Sequence, residues 1–296
     1  MAVKVGLVGL GRMGRAIQAR LAAQGIDVVG WDRDAVAMKL AADHGMTIAA
    51  HPRAVADAAD GTVISIITED NGVRSIFRGK DGFLSGDVRG KLFIEMSTLQ
   101  PMTGRELAPL VQAAGARLID SPVLGTIPSA RDGKLFAMIG GRPEDIEHAR
   151  PVLEKLTRKI VHMGPNGAGY SMKLAVNLGL AASIQATAES LALGTREGLG
   201  LQQMLDVLAE APTANGWFAA KKKLLAGEPD DVTLDLKTLR KDMMSAVATG
   251  ALSGTAMPLS TGVLTALSAA VAQGWGDKDI GELARFFREH MGQKLS

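Results

Sequence analysis

The chain has 296 residues, 47% apolar and 22% charged, with a formal net charge of +2, the balance of a globular protein large enough for one big domain or two ordinary ones. So small a net charge gives no global electrostatic case for nucleic acid or an anionic membrane as a partner. With no cysteine in the chain, disulfides, thiolate zinc sites and catalysis through a thioester are excluded.

Residues 3–10, VKVGLVGL, form a short apolar run rich in β-branched residues, the pattern of a buried strand. The pattern turns helical from about Met13 to Ala23. IDVVGW then reads as a second strand, DAVAMKLAADHG as a second helix, and TVISII (62–67) as a third strand. KLFIEMS (91–97) and ARLIDSPV (116–123) read as two more, with RELAPLVQAAG helical between them. KLFAMIGG (134–141) closes the series, and EDIEHARPVLEKL is helical. Strands alternating with helices of this length predict a parallel sheet covered on both faces. After Gly164 the strand-like runs vanish and Ala/Leu/Met helical patterns continue to the C-terminus. The expected fold class is therefore α/β, with a doubly wound domain over residues 1–164 and an all-helical domain over 165–296. The basic run Lys221, Lys222, Lys223 reads as a solvated helix face. No stretch has the pattern of a signal peptide, and the apolar run after Lys173 contains Gln185 and Glu189, so a membrane span is not expected and a cytoplasmic location is.

Directly after the first strand comes Gly9-Leu10-Gly11-Arg12-Met13-Gly14, a GxGxxG that opens the first helix. The first glycine permits the tight turn, the second lets a pyrophosphate approach the backbone, and the third lets helix and strand pack closely. The helix N-terminus offers N–H groups and a positive dipole end to phosphates. Asp32 ends the second strand 21 residues beyond Gly11, where a carboxylate takes the ribose hydroxyls of a dinucleotide. This reads as a Rossmann nucleotide site. Asp32 repels a 2′-phosphate whereas the following Arg33 attracts one, so NAD is favoured over NADP but NADP stays open.

Further along, NGAGYSMKLAVNLGLAASIQATAE places a single lysine, Lys173, in an almost uncharged helical run with Asn177 four residues later, on the same face. Burying an ammonium is costly unless it is paired or used. The five histidines show no metal-ligand spacing, and no metal is expected.

Over nearly its whole length the chain resembles the β-hydroxyacid dehydrogenases, the family of 3-hydroxyisobutyrate dehydrogenase and tartronate semialdehyde reductase. The resemblance rests on GLVGLGRMGRAIQARL, EMSTLQP (95–101), DSPVLGTIPSARDGKLFAMIGG (120–141), GPNGAGYSMKLAVN (164–177), RKDM (240–243) and GWGDKD (274–279), all in order. It implies that Lys173, the lysine of the GxGxxxKxxxN pattern, is the general acid/base, and that Asn177 hydrogen-bonds the substrate or orients the ammonium. A lysine in an apolar cleft has its pKa pulled down toward working pH, as a proton shuttle requires. By the same resemblance Thr98 contacts the cofactor, Ile67 and Thr68 stand where the family has Leu-Pro, and Lys241 reaches the cofactor side of the cleft. A hydroxy acid or semialdehyde is the implied substrate, and a homodimer or homotetramer the implied assembly.

One stretch departs from the family. Where it has PVSGG, whose serine and glycines hold the substrate carboxylate, this chain has Pro122-Val123-Leu124-Gly125-Thr126. Leu124 has no side-chain donor. Either Thr126 takes over the anchoring or the substrate lies outside the usual small hydroxy acids. Trp217 is a candidate for lining the substrate pocket or a subunit contact, with core packing an equal reading. Two other readings stay open: an imine reductase, a group that shares the architecture but usually lacks the lysine, and a dinucleotide-binding protein without catalysis.

Overall fold

The computed structural model describes residues 3–290; the outermost residues of the two expected domains, 1–2 and 291–296, lie outside that span. The chain divides into two compact units, Met1–Leu174 and Ala175–Ser296.

The first unit runs β1 (Lys4–Val8), α1 (Arg12–Ala23), β2 (Asp27–Trp31), α2 (Ala35–Asp43), β3 (Thr47–Ile48), α3 (Pro52–Ala58), β4 (Thr62–Ser65), α4 (Asp70–Arg78), β5 (Leu92–Glu95) and α5 (Pro101–Ala113). It continues with β6 (Arg117–Asp120), β7 (Val123–Leu124), α6 (Ile127–Arg131), β8 (Leu135–Gly140), α7 (Pro143–Leu156), β9 (Thr157–Gly164) and the start of α8 (Ala168–Arg196). The strands form one sheet in the order β3-β2-β1-β4-β5-β6-β8-β7, with β9 beside β8. From β3 to β6 every pairing is parallel.

Apolar side chains feed both faces of this sheet, which is why its strands read as continuous hydrophobic runs. Leu92 and Ile94 of β5 point into a core shared with Ile17 and Leu21 of α1 and Leu153 of α7. Phe93, between them, joins Val55 of α3, Phe77 of α4 and Val111 of α5 on the other side. There Phe77, Phe83 and Phe93 pack with ring centroids 4.9–5.2 Å apart.

Beyond β6 the sheet departs from the expected all-parallel pattern: β8 runs antiparallel to both β6 and β7. The link from β7 to β8 holds a helix of only five residues, about 8 Å long. A six-residue strand such as β8 spans about 20 Å, so this helix cannot carry the chain back to its starting edge, and β8 returns in the opposite sense. Strand β9, unforeseen in the sequence, pairs parallel with β8 despite a largely exposed, basic Arg158-Lys159 start.

The second unit is helical: the rest of α8, then α9 (Leu201–Glu210), α10 (Gly216–Leu225), α11 (Leu236–Ser253), α12 (Pro258–Ala270) and α13 (Leu283–His290). On α8, Ala181, Ile184, Ala188 and Leu191 recur at helical spacing and pack with Phe218, Leu239, Met243, Leu267 and Phe286. Asn215 and Asp235 cap α10 and α11 through their side-chain oxygens. Lys221 corrects the expected solvated face of the basic run. It is 4% exposed, with its ammonium 2.8 Å from Asp230 and 3.0 Å from Asp279. Helical periodicity turns this lysine inward and leaves Lys222 to pair with Asp206 outside.

In the first unit the start of α8 is fastened to the carboxyl ends of β5 and β6 by two buried acids. Asp120 accepts from the backbone N–H of Gly167 at 2.7 Å and of Tyr170 at 3.3 Å. Glu95 accepts from the Tyr170 hydroxyl at 2.5 Å and from the hydroxyl and N–H of Ser97, with Ser65 beside it. Burial disfavours the charged form and pushes the Glu95 carboxyl up to about 7, against the donors from Ser97 and Tyr170, and the nearby Asp120 raises it further. Asp120 is raised too, again chiefly by burial. A carboxyl raised in the fold favours folding most below its ordinary value and loses that contribution as pH climbs through about 7. From pH 5 to pH 8 the wild type therefore loses stability relative to Glu95→Gln, by up to about 3 kcal/mol. Denaturant midpoints of the two proteins at both pH values check this, and parallel profiles count against it.

Candidate active site

The glycine loop between β1 and α1 is built by three different constraints. Gly9 has a φ of +98°, and a Cβ there would lie 2.1 Å from the Ile66 carbonyl oxygen. At Gly14 a Cβ would lie 1.9 Å from the Gly9 carbonyl oxygen, so the helix can sit this close to the loop only as glycine. At Gly11, the residue that opens α1, a Cβ would meet nothing within 4 Å. The backbone there faces open space beside the helix N-terminus, the approach a diphosphate needs.

Asp32, just past the end of β2, folds back under this loop. One of its carboxylate oxygens accepts from the Leu10 N–H at 2.6 Å and the other from the Asp34 N–H at 2.9 Å. Each oxygen keeps a second lone pair for a ribose hydroxyl. Gly9, Gly11, Asp32, Arg33, Ile67 and Thr68 line one groove of about 390 Å³. It opens at the carboxyl ends of β1 and β4, where the strand order reverses and open α/β sheets collect ligands. These residues and spacings suit a dinucleotide. Of the remaining loop residues, Leu10 is a core side chain that can serve a ligand only through its backbone, Met13 is half-buried against the core and Arg12 is exposed. Thr98, half-buried, follows Ser97 beyond the end of β5.

Lys173 lies on α8, one turn past Tyr170, and is half-buried. The acids that hold Gly167 and Tyr170 thereby fix the first turn of the helix that bears it. Gly169 makes this approach possible: a Cβ there would come within 2.4 Å of the Met138 carbonyl oxygen and 2.8 Å of Asp120. Asn177, on the same helix and within the second unit, is buried and donates to Asp242 Oδ2 at 2.6 Å. The other Asp242 oxygen is 2.7 Å from the Lys241 ammonium. Asn177, Asp242 and Lys241 are thus one connected group.

Leu124 ends the short strand β7 and is half-buried. Gly125 has a φ of +134°, and Thr126 stands just before α6 with its hydroxyl 3.2 Å from that of Ser129. The loop therefore presents an apolar side chain and a Thr–Ser hydroxyl pair. Trp217, in α10, packs against the helical core, and its buried indole N–H has no hydrogen-bond partner among the described residues.

Glu95, Ser97, Asp120 and Tyr170 were not singled out in the sequence. Two signals mark them in hindsight: an acid closing each of two otherwise apolar strands, LFIE and RLID, and the single tyrosine of the chain beside the glycines of α8.

Residues 4–164 match the NAD binding domain of 6-phosphogluconate dehydrogenase, and residues 167–287 match the NAD-binding domain of NADP-dependent 3-hydroxyisobutyrate dehydrogenase. The chain is 29% identical over 290 residues to glyoxylate/succinic semialdehyde reductase 1 of Arabidopsis thaliana, covering 97% of this chain and all of that one. It is 34% identical over 211 residues to 3-hydroxyisobutyrate dehydrogenase of Pseudomonas aeruginosa, covering 71% of this chain and 70% of that one. Among solved structures, 3-hydroxyisobutyrate dehydrogenase of Mycobacterium tuberculosis with L-serine superposes with a TM-score of 0.84 at 29% identity, covering 97% of this chain and all of the other. The glycine loop and its carboxylate, the lysine helix and the matches across both halves place the chain in the β-hydroxyacid dehydrogenase family of NAD(P)-dependent oxidoreductases.

Proposed function

We propose that this enzyme interconverts a small β-hydroxy acid and its semialdehyde, with Lys173 as the general acid/base. The observation that carries the reading is the fastening of the Lys173 helix, through Tyr170 and Gly167, to the carboxyl edge of the sheet that also opens the dinucleotide groove. When bound, the nicotinamide accepts or supplies the hydride. In the oxidation direction Lys173 takes the hydroxyl proton; in reduction it delivers a proton to the carbonyl oxygen. Asn177, held by Asp242, keeps a fixed amide one turn further along the helix for the substrate. Leu124 and Thr126 adapt the anchoring loop to a substrate whose carboxylate is held by the Thr126 hydroxyl and backbone N–H groups, with an apolar substituent against Leu124. Residues 1–164 are the dinucleotide-binding domain in this reading, and 165–296 the substrate and oligomerisation domain. A cytoplasmic location belongs to the same proposal, because the dinucleotide pool it draws on is intracellular; among the described residues no helix is long and apolar enough to cross a membrane.

Three outcomes are expected. Lys173→Ala lowers kcat by about 10²–10⁴-fold on whichever hydroxy acid or semialdehyde is turned over, with dinucleotide affinity kept. Absorbance assays and fluorescence titration measure both, and an alanine variant of wild-type speed removes the acid/base role. NADH is preferred to NADPH by on the order of 100-fold in kcat/KM, through repulsion between Asp32 and a 2′-phosphate, and Asp32→Asn narrows the gap below about tenfold. An unchanged ratio in that variant moves the discrimination to Arg33. The helical unit exposes Leu193, Leu199, Val207, Leu252 and Leu259, apolar surface that a homodimer or homotetramer would cover. Light scattering is expected to give two or four times 30.9 kDa, and a monomer mass at assay concentrations contradicts it.

A further inference from the structure

We propose that Glu95 is a positioning residue that ties occupancy of the dinucleotide groove to the placement of Lys173. The proposal rests on the reading of Lys173 as the acid/base, and adds a route by which the groove and that lysine act together.

The route is a chain of hydrogen bonds within the first unit. Ile67, which lines the groove, donates its backbone N–H to Ser97 Oγ at 2.8 Å. The Ser97 hydroxyl donates to Glu95 Oε1, and the Ser97 N–H lies 3.1 Å from Oε2. Oε2 in turn takes the Tyr170 hydroxyl at 2.5 Å. Tyr170 sits in the first turn of α8, and Lys173 follows three residues later. Glu95, Ser97 and Tyr170 are each no more than 2% exposed.

A packing role alone does not account for this arrangement. Removing a carboxyl from water is expensive, and the neighbouring charge that bears on Glu95 is a second carboxyl, Asp120, which opposes ionisation rather than compensating it. An apolar residue of similar volume would close β5 at lower cost. What the carboxyl adds is two acceptor oxygens that join the two elements: Oε1 takes the Ser97 hydroxyl beside the groove, and Oε2 takes both the Ser97 N–H and the Tyr170 hydroxyl of the lysine helix. Such a fully satisfied buried network specifies one arrangement of its members. A dinucleotide that presses on the loop at Ile67 and Thr68 fixes Ser97, and Ser97 and Tyr170 share the same carboxyl.

The test uses the full-length enzyme and hydrogen exchange by mass spectrometry, with and without saturating NADH. In the wild type, NADH is expected to slow exchange of the amides at 167–173 by about tenfold. Glu95→Gln, Ser97→Ala and Tyr170→Phe, each brought to saturation judged by NADH fluorescence, are expected to keep less than twofold of that slowing. Tyr170→Phe is also expected to lower kcat by about tenfold while the dinucleotide Kd stays within twofold, a split that general loosening of the fold does not produce. The two hydroxyl deletions decide the matter should Glu95→Gln fail to fold. Full slowing in both of them, or no slowing in the wild type, overturns the proposal. Because exchange does not depend on proton transfer, a wild-type kcat in Lys173→Ala would remove the acid/base reading while leaving the coupling through Glu95 standing.

Discussion

The structure depends on two carboxyl groups buried at the carboxyl ends of neighbouring strands. Glu95 and Asp120 close β5 and β6, and between them they hold the hydroxyl and backbone N–H of Tyr170 and the N–H of Gly167. These bonds meet the need of the first turn of α8 for acceptors, since the leading N–H groups of a helix have no partner within it. They also set where that helix begins relative to the sheet. Without them the first turn of the helix that bears the lysine would lose its two acceptors on the strand ends.

The same edge of the sheet builds the dinucleotide groove. Parallel strands from β3 to β6 bring the β1–α1 loop, the end of β2 and the end of β4 to one side, and the reversal of strand order between β1 and β4 opens the crevice. Glycine at 9 and 14 permits the close packing of loop and helix, since a Cβ there would collide with carbonyl oxygens, and the backbone at Gly11 faces open space. Asp32 braces the loop through Leu10 N–H and lines the groove. The groove and the first turn of the lysine helix thus share one frame, as sites on strand ends and helix starts favour.

Elements that are apolar on both faces were legible in the sequence: β1, β2, β4, β5, β6 and β8 all appear as short hydrophobic runs. So were Gly9, Gly11 and Asp32 of the groove, because a glycine spacing and one acid a fixed distance on is local information. Less was visible where tertiary context decides. Strand β9 begins with exposed Arg158 and Lys159 and is held mainly by pairing with β8. The reversal of β8 follows from a connecting helix too short to cross the sheet. Lys221 looked like one of three solvated lysines until Asp230 and Asp279, 9 and 58 residues on in sequence, came into contact with it. The Glu95 network was hidden for the same reason: Tyr170 lies 75 residues from the acid it bonds.

The central claim, that Lys173 exchanges the proton at the reacting oxygen, is tested most directly by a crystal structure of the enzyme with a dinucleotide and a β-hydroxy acid that it turns over. The account predicts the Lys173 ammonium within hydrogen-bond distance, about 2.6–3.2 Å, of the substrate hydroxyl oxygen. A substrate hydroxyl held by another group, with Lys173 turned away from it, would contradict the claim.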